Sequence, residues 1–294
     1  MTARRGGSHP GNARPIPHSR GTVQLRPRRG GTAPVMQGAE PFSHDGDDVG
    51  VLLCHGFTGT PQALRPWAVH LARSGHSVRL PLLPGHGRTW QELSRTGWED
   101  WYAAVDSAFT ELASTCRAVV VGGLSMGGAL ALQLGERHGD AVSGLLLVNP
   151  AVRTDDLRRF AVPTLRRLRA SVGAIGNDVS KPGVTELAYD RTPTRALHSM
   201  MRGWRRVVAD LPLVRQPVLL FRSVVDHVVP ASSSAAVLRR ISSTDVREVL
   251  CERSHHVATL DNDSVMIFER SVEFVTRVTT GALPTTAGGA EEPR

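Results

Sequence analysis

Gly123-Leu124-Ser125-Met126-Gly127 follows the apolar run Ala118 to Val121 and precedes an amphipathic stretch. A G-x-S-x-G pentapeptide between a strand and a helix is the setting in which a serine hydroxyl is pushed out over a sheet edge. The two glycines have a steric job, because on so tight a turn a side chain at Gly123 or Gly127 would collide with neighbouring backbone. The pentapeptide by itself is equally compatible with a glycine-rich strand-to-helix turn of no chemical consequence, so its context decides. A serine hydroxyl becomes a good nucleophile at neutral pH when an imidazole takes its proton and a carboxylate fixes that imidazole's tautomer. Asp226 follows the apolar run ending at Phe221-Arg222, and His256 follows the run ending at Cys251. The three together predict covalent acyl transfer.

The chain order Ser125, Asp226, His256 is that of the α/β-hydrolase fold rather than of the other Ser-His-Asp arrangements. His227 adjoins Asp226, so its ring should diverge from that carboxylate. His255 and His256 differ by one position, and residue chemistry alone does not choose between them. Acyl transfer also needs donors for the oxyanion, one of them the N–H of the residue after the nucleophile, here Met126. His55-Gly56-Phe57 directly follows the run Val49 to Cys54, which makes the N–H of Phe57 the second candidate donor. His55 and His86, the latter in Pro84-Gly85-His86-Gly87, read as structural rings that brace their loops.

From Val49 onward, short apolar runs alternate with amphipathic stretches, the pattern of a mainly parallel sheet flanked by helices. Six strands are expected, at Val49 to Cys54, Ser77 to Pro81, Ala118 to Gly122, Gly144 to Asn149, Pro217 to Arg222 and Val246 to Cys251, most of them apolar on both faces. Helices are expected over Pro61 to Arg73, Gly97 to Cys116, Gly127 to His138, Ser232 to Ile241 and Asp263 to Val278. Residues 151 to about 194 break the rhythm, being Arg-rich with scattered Pro and Gly, and are too long for an ordinary loop. They predict a small cap inserted into an α/β domain of residues 37–280.

The chain has 294 residues, 40% hydrophobic and 21% charged, which is globular composition, and no apolar run approaches the length of a membrane-spanning helix. Its formal charge of +8 does not point to nucleic acid. Residues 1 to 39 contain seven arginines and no acid, so the rest of the chain carries only +1. Residues 1–36 are expected to be a disordered Arg-rich extension, with Met36 as an alternative translation start, and residues 281–294 a flexible tail. Cys54, Cys116 and Cys251 form no C-x-x-C pair and read as reduced thiols, which fits a cytoplasmic protein.

The motifs taken jointly resemble the bacterial monoacylglycerol lipases and their carboxylesterase relatives within the α/β-hydrolases. The resemblance runs over about residues 39 to 278. It is carried by Leu53-Cys54-His55-Gly56-Phe57-Thr58-Gly59, Gly85-His86-Gly87, the Ser125 pentapeptide, Glu186-Leu187-Ala188-Tyr189, Asp226-His227-Val228-Val229-Pro230 and Ser254-His255-His256-Val257-Ala258-Thr259. It implies Ser125 as nucleophile, Asp226 and His256 as its partners, and Phe57 and Met126 as oxyanion donors. The ring followed by Val-Ala-Thr-Leu-Asp is the one that aligns with the family base, hence His256. The resemblance further implies that Glu186, in the cap, recognises glycerol hydroxyls. The implied substrate is a small lipid ester, cleaved without metal or organic cofactor. A general carboxylesterase for shorter esters is the nearest rival, and an idle hydrolase fold that binds an anionic surface through its tail is a rival of another class. Transient contact with lipid surfaces fits the first reading; the oligomeric state is left open.

Overall fold

Both faces of the central sheet are covered by helices, so its inner strands bury hydrophobic side chains on either side. In the computed structural model, which describes Thr2, residues 33–174 and residues 177–280, the elements run in chain order β1 (Phe42–His44), β2 (Val49–Cys54), α1 (Arg65–Arg73), β3 (Ser77–Leu80), α2 (Trp90–Leu93), α3 (Trp98–Thr115), β4 (Ala118–Leu124), α4 (Met126–His138), β5 (Gly144–Val148), α5 (Val162–Leu168), β6 (Ser171–Gly173), β7 (Arg191–Pro193), α6 (Thr194–Asp210), β8 (Val218–Ser223), α7 (Ala231–Arg240), β9 (Val246–Cys251) and α8 (Ser264–Thr280). Most of the expected extension 1–36 and the whole tail 281–294 lie outside the described residues. Met36 is described: its N–H donates to Gly87 O at 2.7 Å, and its side chain packs on the core.

The main sheet has the order β1-β3-β2-β4-β5-β8-β9. All neighbouring pairs are parallel except β1 with β3. Alternate residues serve the two layers. Leu52 and Cys54 of β2, Val119 and Val121 of β4, and Leu145 and Leu147 of β5 pack toward α3, α4 and α6. Val51 and Leu53, Val120, Leu146 and Val148 pack toward α1 and α8. The period-2 alternation of a strand with two apolar faces explains why these segments read as unbroken hydrophobic runs.

Six strands were expected and the sheet has seven. The additional one, β1, is three residues long with mostly exposed side chains, too short to show an alternation. The opposite edge, β9, is also more exposed than its apolar sequence suggested, because only one of its faces meets the body. The expected helix from Pro61 divides into a 3-10 turn, Pro61–Ala63, capped by the Thr60 hydroxyl, and α1, whose first turn accommodates Pro66 because no intrahelical bond is needed from its nitrogen.

The 17-residue helix α6 was not foreseen, since four arginines at 195, 202, 205 and 206 dominate its sequence. Its buried stripe, Ala196, Met200, Gly203, Trp204 and Val207, nonetheless follows helical spacing. Gly203 lies flat on the Trp98 indole, where a Cβ would come within 2.1 Å of the ring. Trp98 in turn donates to Gln133 Oε1 at 2.7 Å, so α6, α3 and α4 form one packed layer. Between β5 and β8 the chain leaves the sheet; β6 and β7 pair antiparallel and close that excursion just before α6. Among the described residues no helix is long and apolar enough to cross a membrane.

Candidate active site

The middle of the sheet delivers Ser125 at the end of β4, on the turn into α4. Its backbone angles, φ 56° and ψ −119°, are ones that side-chain-bearing residues seldom adopt. The turn is held because Ser125 N–H donates to Val148 O at 2.9 Å and Ser125 O accepts from Gly128 and Ala151 N–H, both at 3.0 Å. The steric reading of the glycines is correct in detail. A Cβ on Gly123 would lie 2.3 Å from Gly127 carbonyl atoms, and one on Gly127 would lie 1.8 Å from Cys54 O. Met126 begins α4, so no preceding helical carbonyl is available to its N–H.

His256 and Asp226 meet on loops beyond β9 and β8. His256 Nδ1 and Asp226 Oδ2 are 2.8 Å apart, with both side chains largely buried. The other carboxylate oxygen, Oδ1, accepts the N–H groups of Val228 at 2.8 Å and Val229 at 2.7 Å, which fixes the carboxylate plane. With Nδ1–H given to Asp226, the Nε2 of His256 is left as the basic nitrogen. His227 and His255 turn away from Asp226, and both rings approach Asp178 Oδ1, at 2.8 and 3.3 Å.

Asp178 was not singled out from the sequence. Its Oδ2 accepts the backbone N–H of His227 at 3.0 Å and of His256 at 3.2 Å, joining the two loops. Burial works against its charge, yet the His227 and His256 N–H groups and the His227 ring together hold its carboxyl below the usual carboxylate range. Asn149 does the corresponding work on the sheet side. Its amide donates to Ser223 Oγ at 2.9 Å and to His256 O at 2.8 Å, and its Oδ1 accepts Ser223 N–H at 2.8 Å. Neither residue stands in a recognisable motif; only its position after an apolar run could have drawn attention to Asn149. Asp178, His227 and His255 also place three metal-type ligand atoms within 4.8 Å of one another, here occupied by the contacts of the two rings with Asp178.

Ser125, His256, Gly56, Phe57 and Glu186 line one cavity of about 390 Å³, whose remaining wall is largely apolar and includes Val162, Leu165, Leu197 and Met200. The Gly56-Phe57 loop is braced by His55, whose Nδ1 is 2.9 Å from Gly56 O while Nε2 accepts Leu83 N–H at 3.1 Å. Burial pushes the His55 pKa down to about 4, so the ring is neutral and both nitrogens are committed to the loop. His86 packs edge-on against it, with its pKa pushed well down by burial and by the neighbouring His55.

Glu186 is buried, and its Oε2 accepts Asn177 N–H at 2.9 Å. Burial raises its pKa, opposed by that N–H and by the charge of His256. Gly59 leaves room for it; a Cβ there would come within 2.5 Å of Glu186 Oε1. The residues picked from the sequence, Ser125, Asp226, His256, Phe57, Met126 and Glu186, are thus gathered at the carboxyl edge of the sheet.

The chain is similar to known hydrolases. The family described as serine aminopeptidase, S33, matches residues 48–263. A thermostable monoacylglycerol lipase of a Bacillus species is 43% identical over 82% of this chain and 96% of its own length. A carboxylesterase of Bacillus subtilis is 25% identical over 81% of this chain and 97% of its own. Among solved structures, one described under the metagenome-derived lipolytic enzymes LipS and LipT superposes with a TM-score of 0.81 at 37% identity, covering 83% of this chain and all of that one. The monoglyceride lipase of Saccharomyces cerevisiae, at 16% identity over 84% of this chain and 90% of its own, shares the fold with a TM-score of 0.67.

Proposed function

Because the chain belongs to the serine aminopeptidase S33 family, and within the α/β-hydrolases to the group of monoacylglycerol lipases and carboxylesterases, we propose that this serine hydrolase of carboxylic esters cleaves monoacylglycerols to glycerol and fatty acid. One observation carries the substrate: a buried carboxylate, Glu186, shares an otherwise mainly apolar cavity with Ser125 and His256. An apolar wall suits an acyl chain, and a carboxylate held at one point suits the two free hydroxyls of a glyceryl group. The 43% identity to a monoacylglycerol lipase supports the same choice.

In the proposed mechanism the Ser125 hydroxyl attacks the ester carbonyl while His256 Nε2 takes its proton. The N–H groups of Met126 and Phe57 receive the oxyanion, and His256 returns the proton to the departing glycerol oxygen. Water, deprotonated by His256, then attacks the acyl-enzyme, and the fatty acid leaves with Ser125 restored. Asp226 stays ionised and holds the imidazole. The inserted segment 151–194 is the cap over the acyl cavity. A cytoplasmic setting, with transient contact to the lipid surfaces that hold the substrate, is part of the proposal, and the free cysteines suit a reducing compartment.

The test is a set of initial rates on monoacylglycerols of graded chain length, on di- and triacylglycerols and on matched methyl esters, with Ser125→Ala as the blank. Preference for monoacylglycerols that Glu186→Gln abolishes, with methyl-ester rates preserved, is the expected result. Equal rates on methyl esters in the wild type would instead assign a general carboxylesterase.

A further inference from the structure

A second cavity, of about 580 Å³, adjoins the first and shares Arg153, Arg159, Met201 and Trp204 as walls. Its lining holds five arginines, Arg153, Arg159, Arg205, Arg239 and Arg240, and no acidic residue. They come from three places in the chain: the inserted segment, α6 and α7. Arg153 pairs with Asp155 at 2.7 Å, Arg159 lies over the Phe160 ring and donates to Thr154 O, and Arg240 donates to Val208 O at 3.1 Å. Among the described residues Arg205 and Arg239 have neither an ion pair nor a hydrogen bond. The surface between the guanidinium groups is apolar, formed by Phe160, Pro163 and Val208.

A further observation points to a ligand. The Trp204 indole lines both cavities, is more than nine-tenths buried, and its N–H has no acceptor among the described residues. A buried donor left in this state is costly unless a bound molecule accepts from it.

A cluster of cations on an apolar wall fits an amphiphile with an anionic head, and the reaction proposed above makes one. We propose that this cavity binds a fatty-acid anion, the acyl product, with its carboxylate among the five arginines, where it also accepts from the Trp204 N–H, and its chain along the apolar wall toward the catalytic cavity. The origin of the ligand rests on the ester-hydrolase reading. A monoacylglycerol is neutral, whereas its acyl product carries one negative charge at neutral pH, so an arginine cluster distinguishes product from substrate by charge alone. The cavity draws the acid away from Ser125 and fills as product accumulates.

Calorimetric titration of dodecanoate below its micellar concentration into the Ser125→Ala protein tests this without turnover. The expected result is saturable binding, about tenfold weaker when Arg205→Ala and Arg239→Ala are combined, and largely restored by Arg205→Lys with Arg239→Lys. Arg270→Ala, on the exposed face of α8, should leave binding unchanged, and dodecanol should bind weakly to every variant. Both arginines of the double variant are exposed, so an unchanged melting temperature is the check on its folding. Equal dodecanoate affinity in the double alanine variant, or dodecanol binding as tight as dodecanoate, overturns the proposal. So does arginine-dependent sedimentation with phosphatidylglycerol vesicles without binding of monomeric dodecanoate, which would make the patch a membrane-docking surface. A wild type that turns over no ester, while arginine-dependent binding persists, refutes the proposed function and leaves the fatty-acid site standing. Good turnover with arginine-independent binding removes the site alone.

Discussion

Asp178 reaches the backbone of His256: its Oδ2 accepts the His256 N–H at 3.2 Å, and the same oxygen accepts the N–H of His227, one residue past Asp226. The carboxylate therefore sets the spacing of the two loops that carry the proposed base and its orienting acid. Asp178→Ala should lower kcat by about 10- to 100-fold while KM changes little, because misplacing an imidazole by a fraction of an ångström penalises the transition state and leaves substrate contacts intact. Asp178→Asn keeps one acceptor oxygen and should recover part of the loss. A variant in which kcat and KM are both unchanged would show that the loops are set by other contacts.

The proposed nucleophile, Ser125, sits on strained backbone. At φ 56° and ψ −119° its side chain adds to the conformational cost, which glycine would not bear. Ser125→Gly should thus be more stable than the wild type by about 1 kcal/mol, within the range of such strain, while turnover falls on the order of 10⁶-fold. Thermal melts and ester hydrolysis on the same sample check both. Loss of stability together with loss of activity would mean that the hydroxyl contributes more to the fold than the strain takes away.

The residues with chemical motifs were legible from sequence because their types and order are constrained: a serine between glycines after a strand, then an acid and a histidine after two later strands. His256 could be chosen over His255 only through the family pattern; in the structure the choice comes from Asp226, which His256 meets at 2.8 Å while His255 turns to Asp178. Asp178 and Asn149 were not legible, because each acts through hydrogen bonds to loops distant in sequence, and no local pattern marks such a role. The helix α6 was hidden differently. Its arginines face outward and outweigh in composition the stripe of Ala196, Met200, Trp204 and Val207 that packs on α3 and α4. β1 escaped because three mostly exposed residues acquire strand character only from pairing with β3.

The two elbow glycines are steric requirements, and they should behave as such. Gly127→Ala places a methyl group 1.8 Å from Cys54 O, between β2 and α4, where both neighbours are backbone and neither can rotate away. It should cost ~3 kcal/mol or more, a large share of a domain's stability, and so lower the soluble yield and the melting temperature sharply. Gly173→Ala, in β6 with no atom within 4 Å of the new methyl group, is the matched control and should change the melting temperature by no more than a few degrees. Soluble yield and melting temperature of the pair decide the matter; a well-folded Gly127→Ala protein would contradict the close approach of β2 and α4.

Glu136 on α4 gives the fold a pH dependence of its own. The residue is 9% exposed, and neither carboxylate oxygen has a hydrogen-bond partner among the described residues. Burial, then the charge of Asp210, push its pKa up to about 8 from 4.5, against a smaller opposing effect of Arg137. The sign follows from linkage. Between about pH 4.5 and 8 the folded chain keeps a proton that the unfolded chain releases, so the stability associated with it is complete below 4.5, declines as pH rises, and is gone above 8. Glu136→Gln, neutral at every pH, should melt within a few degrees of the wild type at pH 4.5 and outlast it increasingly toward pH 9, where the gap should be on the order of 2 to 4 kcal/mol. Denaturant unfolding of both proteins at pH 4.5, 7 and 9 measures the gap directly. Parallel stability profiles would mean that Glu136 is solvated or paired in solution, and the pH dependence would then have to come from another group.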